Sequence, residues 1–163
     1  MTAHSSRRSF VISAAVAVPS LFAAGCATKG DAFAEAPQVP ANKALVYVYR
    51  TGRLDGGALT PSVTFAKSLR VALTRSGYYA YLAEPGALHV RITDIGTRVI
   101  TLDVKAGQTY YLRGGLIFMA GGYPFLDIVT ADMALPELRD CKLISRVETI
   151  AAPESEPASA PQS

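Results

Sequence analysis

Tryptophan is absent from the 163 residues, histidine and cysteine occur twice each, and Lys plus Arg exceed Asp plus Glu by only three. Each scarcity excludes something. His4 lies near the start, so His89 is the one imidazole in the body of the chain. A catalytic base or zinc ligand needs partners of the right type around it, and Asp94 and Asp103 are candidates only by loose proximity. No run of basic residues occurs, so nucleic acid is not an expected partner. Gly-x-Ser-x-Gly is missing, and Ser62, Ser68 and Ser76 stand without the base and orienting group that a serine nucleophile needs. The glycine-rich stretch "RGGLIFMAGGYP" lacks the spacing and lysine of a phosphate loop, so no cofactor is expected. Internal repeats are also missing.

The longest apolar run is short as well. From Phe10 to Gly25 the chain is apolar or small over 16 residues, with Pro19 inside, whereas a spanning helix needs about 20. Arg7 and Arg8 precede it and no acid does. A basic start, a short apolar stretch and a small-residue end describe a removable signal peptide over residues 1–25; the alternative is a buried N-terminal helix. The ending Ala23-Ala24-Gly25-Cys26 resembles the bacterial lipobox, with Ala23 where leucine is usual. That resemblance implies cleavage between Gly25 and Cys26 and acylation of Cys26 by palmitate-type chains. Three chains anchor a protein firmly where one gives marginal binding. Ser6 to Ile12, "SRRSFVI", also resembles the twin-arginine export motif, although paired arginines occur in ordinary signals too. Ala27 rather than aspartate follows the cysteine. By resemblance to enterobacterial sorting, this implies an outer-membrane protein facing the periplasm.

Without its first 25 residues the chain holds 14 Lys and Arg against 13 Asp and Glu, close to neutral. Residues 26–42 are small, polar and marked by Pro37 and Pro40, and read as a flexible tether. Residues 151–163, "AAPESEPASAPQS", bury too little apolar surface to offset ordering and read as a disordered tail. Residues 43–150 remain for one domain, enough for a small sandwich or barrel. If Cys26 carries lipid, Cys141 is unpaired. A packed thiol is the plainest reading, with an intermolecular disulfide, a metal role or a Cys26–Cys141 bridge as alternatives.

Within the domain the periodicity is that of strands. "ALVYVYR" (Ala44–Arg50) carries bulky residues in both phases. Ser62–Ala66, Leu69–Thr74 and Tyr78–Ala83 follow, separated by "TGRLDGGALTP", Lys67-Ser68 and "RSG". Glu84-Pro85-Gly86 suits a type II turn, with a positive φ at the glycine. Ala87–Asp94 puts Leu88, Val90 and Ile92 on one face and His89, Arg91 and Thr93 on the other. Val99–Lys105, Gln108–Phe118 with a bend at Gly114-Gly115, and Tyr123–Thr130 complete the set. A helix is expected near Asp132–Lys142, starting at Pro136 if proline takes its first turn. The chain is therefore expected to be mostly β: a small antiparallel β-sandwich or open barrel of about 7–8 strands with one short C-terminal helix.

"NKALVYVYR", "VKAGQTYYLRGG" and "ALPELRDCKL" resemble the bacterial domain of unknown function 2846, whose members are small envelope proteins and often lipoproteins. The resemblance spans Ala41 to Leu143. "AEPGALHVRI" is similar to the turn-and-strand of PEGA-like β modules, where the histidine is structural. The sequence departs at "FAKSLRVALTRSG", where the aspartate and glycines of a hairpin common in the family are missing. The resemblance implies a β fold at the cell envelope and no activity. Three functions follow, in order of expectation. The first is a membrane-anchored, non-catalytic structural or protein-interaction lipoprotein. The second is a module binding a small apolar ligand, and the third a hydrolase. The apolar stretch with Gly114, Gly115, Phe118 and Tyr123 is the candidate ligand or partner surface.

Overall fold

A computed structural model describes residues 30–36, 38–52, 59–66, 68–117, 123–145 and 147–150. Among these residues ten strands form two five-stranded sheets that do not close into a barrel. The strands are β1 (Ala44–Arg50), β2 (Ser62–Phe65), β3 (Leu69–Ala72), β4 (Gly77–Ala83), β5 (Gly86–Thr93), β6 (Arg98–Val104), β7 (Thr109–Ile117), β8 (Tyr123–Val129), β9 (Lys142–Leu143) and β10 (Val147–Thr149), with helix α1 (Ala131–Leu138) between β8 and β9. One sheet has the order β8-β7-β1-β4-β9 and the other β10-β3-β2-β5-β6. The second is antiparallel throughout. The first is mixed, because β1 runs parallel to β7 and β4 parallel to β9. The expected mostly β sandwich with one short C-terminal helix is the fold found; it has ten strands where about 7–8 were expected, and two of its strand pairs are parallel. Parallel neighbours need a long connection, and β1 reaches β7 through five intervening strands.

The two-phase bulk of β1 has a direct cause. All seven of its residues are buried. Ala44, Val46 and Val48 face the second sheet and join Val63, Phe65, Val90, Ile92, Leu112 and Leu126 in the main core. Leu45, Tyr47 and Tyr49 face the other way, into a second core closed by Ala134 and Leu138 of α1, Cys141 and the partly buried Phe33. The molecule thus has three layers, with the β1 sheet in the middle. At the end of β1, Arg50 is also buried, and its guanidinium donates to the carbonyls of Leu59 (2.8 Å) and Leu73 (3.4 Å).

β5 shows the expected alternation, with Leu88, Val90 and Ile92 buried and His89 and Arg91 exposed. The turn before it takes φ = +121° at Gly86, which an L side chain resists. β7 runs unbroken through Gly114-Gly115. Both glycines stay in register, opposite Leu126 and Phe125. α1 begins at Ala131, five residues ahead of Pro136, and stops at Leu138. Pro136 lies inside it, where it removes one backbone donor from a two-turn helix.

Part of the segment expected as a tether is docked. The Leu143 N–H donates to the Asp31 carbonyl (2.8 Å) and the Phe33 N–H to the Cys141 carbonyl (3.1 Å), so the segment adds to the β9 edge. The Phe33 ring stands edge-on to Tyr78 and Tyr47, at 5.1 and 5.4 Å between centroids. Gly25, Cys26, the leader and the tail from residue 151 lie outside the described residues.

Candidate functional site

Of the expected surface residues, Phe118 lies outside the described residues. Gly114 and Gly115 are buried. A Cβ on Gly114 would come within 2.9 Å of Leu73 Cδ2, and one on Gly115 within 2.8 Å of the Phe125 ring. Their smallness serves close packing, with Phe125 covering the strand where Gly115 has no side chain of its own. Tyr123, 64% exposed, and Ile117 opposite it are the accessible apolar residues at that end of β7 and β8.

Of the eight tyrosines, which could have formed a flat docking face, Tyr47, Tyr49, Tyr78 and Tyr111 lie inside the second core, and Tyr79, Tyr81 and Tyr110 pack half-buried against the first. Tyr47 stacks on Tyr111 at 5.6 Å and accepts a hydrogen bond from the Ala36 N–H (3.0 Å). The Tyr49 hydroxyl donates to Glu137 (2.6 Å), and Arg113 donates to the other oxygen of that carboxylate (3.2 Å). Burial, and then the Glu137 carboxylate, raise the Tyr49 phenol well above the ordinary tyrosine range. This trio fastens α1 to the sheet.

His89 shares a hydrogen bond between Nδ1 and Thr101 Oγ1 (2.9 Å), across the β5–β6 pair. Its backbone carbonyl accepts from the Ala66 N–H (3.2 Å). Asp94 does not approach it, being paired with Arg70 at 2.6 Å. No group of three His, Cys, Asp or Glu side chains able to hold a metal ion exists among the described residues. Cys141 is buried, its thiol directed at the carbonyls of Glu137 (3.4 Å) and Arg50 (3.6 Å). Burial, reinforced by Asp140 and Glu137, pushes that thiol up to about 12. It is a packed thiol with little thiolate character.

One polar depression, of about 210 Å³, lies on the outer face of the second sheet and is lined by Ser62, Arg70, Ala72 and Glu148. It has no local sequence mark, because β10 joins the β2–β3 hairpin there only through long-range register. The Ser62 hydroxyl, aided by Arg70 and opposed by partial burial, holds the Asp94 carboxyl below the ordinary carboxylate range. Asp94 itself sits at φ = +86°. A carboxylate so held is a poor base for Ser62. Ser62 pairs with Thr93, four residues along β5 from His89, roughly 13 Å at strand rise. The arrangement contains no nucleophile–base relay. No helix among the described residues is long and apolar enough to cross a membrane.

These features define an open, mostly β sandwich with its helix on one outer face. The chain belongs to the family described as "Protein of unknown function (DUF2846)", which matches residues 40–122, just over half its length. The match covers β1 through β7 and ends before "ALPELRDCKL", so the span is shorter than the motifs implied. No curated protein and no solved structure matched the chain.

Proposed function

We propose that this chain is a bacterial envelope lipoprotein, held in the membrane by acylated Cys26, whose sandwich acts as a non-catalytic interaction module. The observation that carries this reading is the 16-residue apolar run ending in Ala23-Ala24-Gly25-Cys26. The anchor places the protein in the envelope, in the outer membrane facing the periplasm. The partner is another envelope protein. What supports a protein partner is the β6 edge, Arg98–Val104, beyond which no further strand pairs among the described residues. An unpaired edge presents a row of backbone donors and acceptors to an added strand.

The test is in-cell cross-linking of tagged wild type and Cys26→Ala, with mass spectrometry of the membrane fraction. The expected result is membrane-bound wild type with one dominant cross-linked protein, and a soluble mutant that loses it. Identical behaviour of the two proteins refutes the anchor, and diffuse cross-linking refutes the partner.

A further inference from the structure

We infer that the β9 edge, with the docked Gly30–Ala36 segment, is the face of the domain that lies against the lipid surface. The inference rests on acylation of Cys26 and deepens it into an orientation. Only residues 27–29 separate Cys26 from Gly30. Four Cα steps span at most about 14 Å. From Gly30 onward the chain is held by backbone bonds of Asp31 and Phe33 to Leu143 and Cys141. It is held again by the Ala36 N–H on the Tyr47 hydroxyl and by the Phe33 ring between Tyr47 and Tyr78. The approach at Gly30 admits no side chain, because a Cβ there would run into the Leu143 carbonyl.

The domain is wider than this reach. Five strands spaced about 4.8 Å apart and two sheets about 10 Å apart put the β6 edge roughly 20 Å from β9. The docked segment therefore holds β9 near the bilayer and turns β6 toward the aqueous compartment, where an added strand can reach it. Were the segment free, 17 steps from Cys26 to Lys43 would span roughly 23 Å root-mean-square, and the domain would have no fixed face.

The experiment uses the acylated full-length protein in phosphatidylethanolamine–phosphatidylglycerol vesicles carrying a headgroup-linked energy acceptor. A fluorophore is placed at Lys142→Cys on β9 or at Val99→Cys on β6; both positions are exposed, and native Cys141 is buried. Transfer to the acceptor from position 142 is expected to exceed that from position 99 at least twofold. Adding Gly30→Val, which blocks docking outside the core, is expected to equalise the two. Equal transfer in the parent background, or an unchanged ratio with Gly30→Val, overturns the inference while the anchor stands. If the protein does not float with the vesicles, the anchor reading falls and the orientation falls with it.

Discussion

Replacing Glu137 by alanine tests how α1 is fastened. Its carboxylate accepts from Tyr49 at 2.6 Å and from Arg113 at 3.2 Å. Tyr49 is fully buried, and the Arg113 Nε is buried without a partner of its own. The substitution removes a hydrogen bond to a charged group, about 1.5–3 kcal/mol, and strands a buried phenol, about 1–3 kcal/mol. A loss of about 3 kcal/mol is expected, equivalent to roughly 12 °C or more in Tm for a domain of this size. Glu137→Gln keeps an acceptor for Tyr49 and is expected to cost about 1 kcal/mol. With no tryptophan in the chain, far-UV circular dichroism during urea unfolding is the assay. The alkaline limb gives a second reading. The Tyr49 phenol is raised in the folded state above its ordinary value of 10.0, so above that pH the unfolded chain loses its proton first. Stability is then complete below about pH 10 and falls as pH rises beyond it. Tyr78, Tyr81 and Tyr111 shift in the same direction through burial. Tyr49→Phe is expected to flatten that fall. Glu137→Ala within about 0.5 kcal/mol of wild type would refute the reasoning.

Gly115→Ala drives a methyl into the Phe125 ring and should cost about 1–3 kcal/mol; the Gly115→Ala, Phe125→Ala double variant should cost less than the sum of the singles in the same urea assay. Cys141 should resist thiol reagents at neutral pH in the folded chain and react fully in denaturant, since its thiol is buried and pushed up to about 12; prompt labelling of folded protein would contradict that placement. His89→Ala, at an exposed position with one side-chain bond, should change stability by less than about 0.5 kcal/mol. Arg70→Ala should cost less than about 1 kcal/mol, because its pair with Asp94 is solvent-exposed.

Short-range pattern carried the fold a long way. Ala44–Arg50 was readable to the residue, because a strand packed between two layers needs bulk in both phases, and Tyr47 and Val48 supply it on opposite sides. Leu88, Val90 and Ile92 announced the inner face of β5 equally well. The parallel β1–β7 pairing was not legible, since its register links Tyr47 to Tyr111 across 64 residues with no local mark. Gly114 and Gly115 misled for a related reason. Glycine reads locally as a bend, whereas here two cross-strand neighbours, Leu126 and Phe125, occupy the space of the missing side chains. Phe33 and Val39 are the large apolar residues of a polar, proline-marked stretch, and both pack against the second core. Pro136 pointed to a later helix start, but burial of Ala134 and Leu138 on the sheet outweighs one missing backbone bond. The polar depression at Ser62, Arg70 and Glu148 draws on three strands and had no sequence signature at all.

The most direct test of the account is the mass of the N-terminal peptide of the mature protein purified from bacterial membranes. The account predicts a peptide beginning at Cys26 and carrying acyl chains, with Cys26→Ala left uncleaved and unacylated. A mature N-terminus anywhere else, or an unmodified Cys26 thiol, would contradict it.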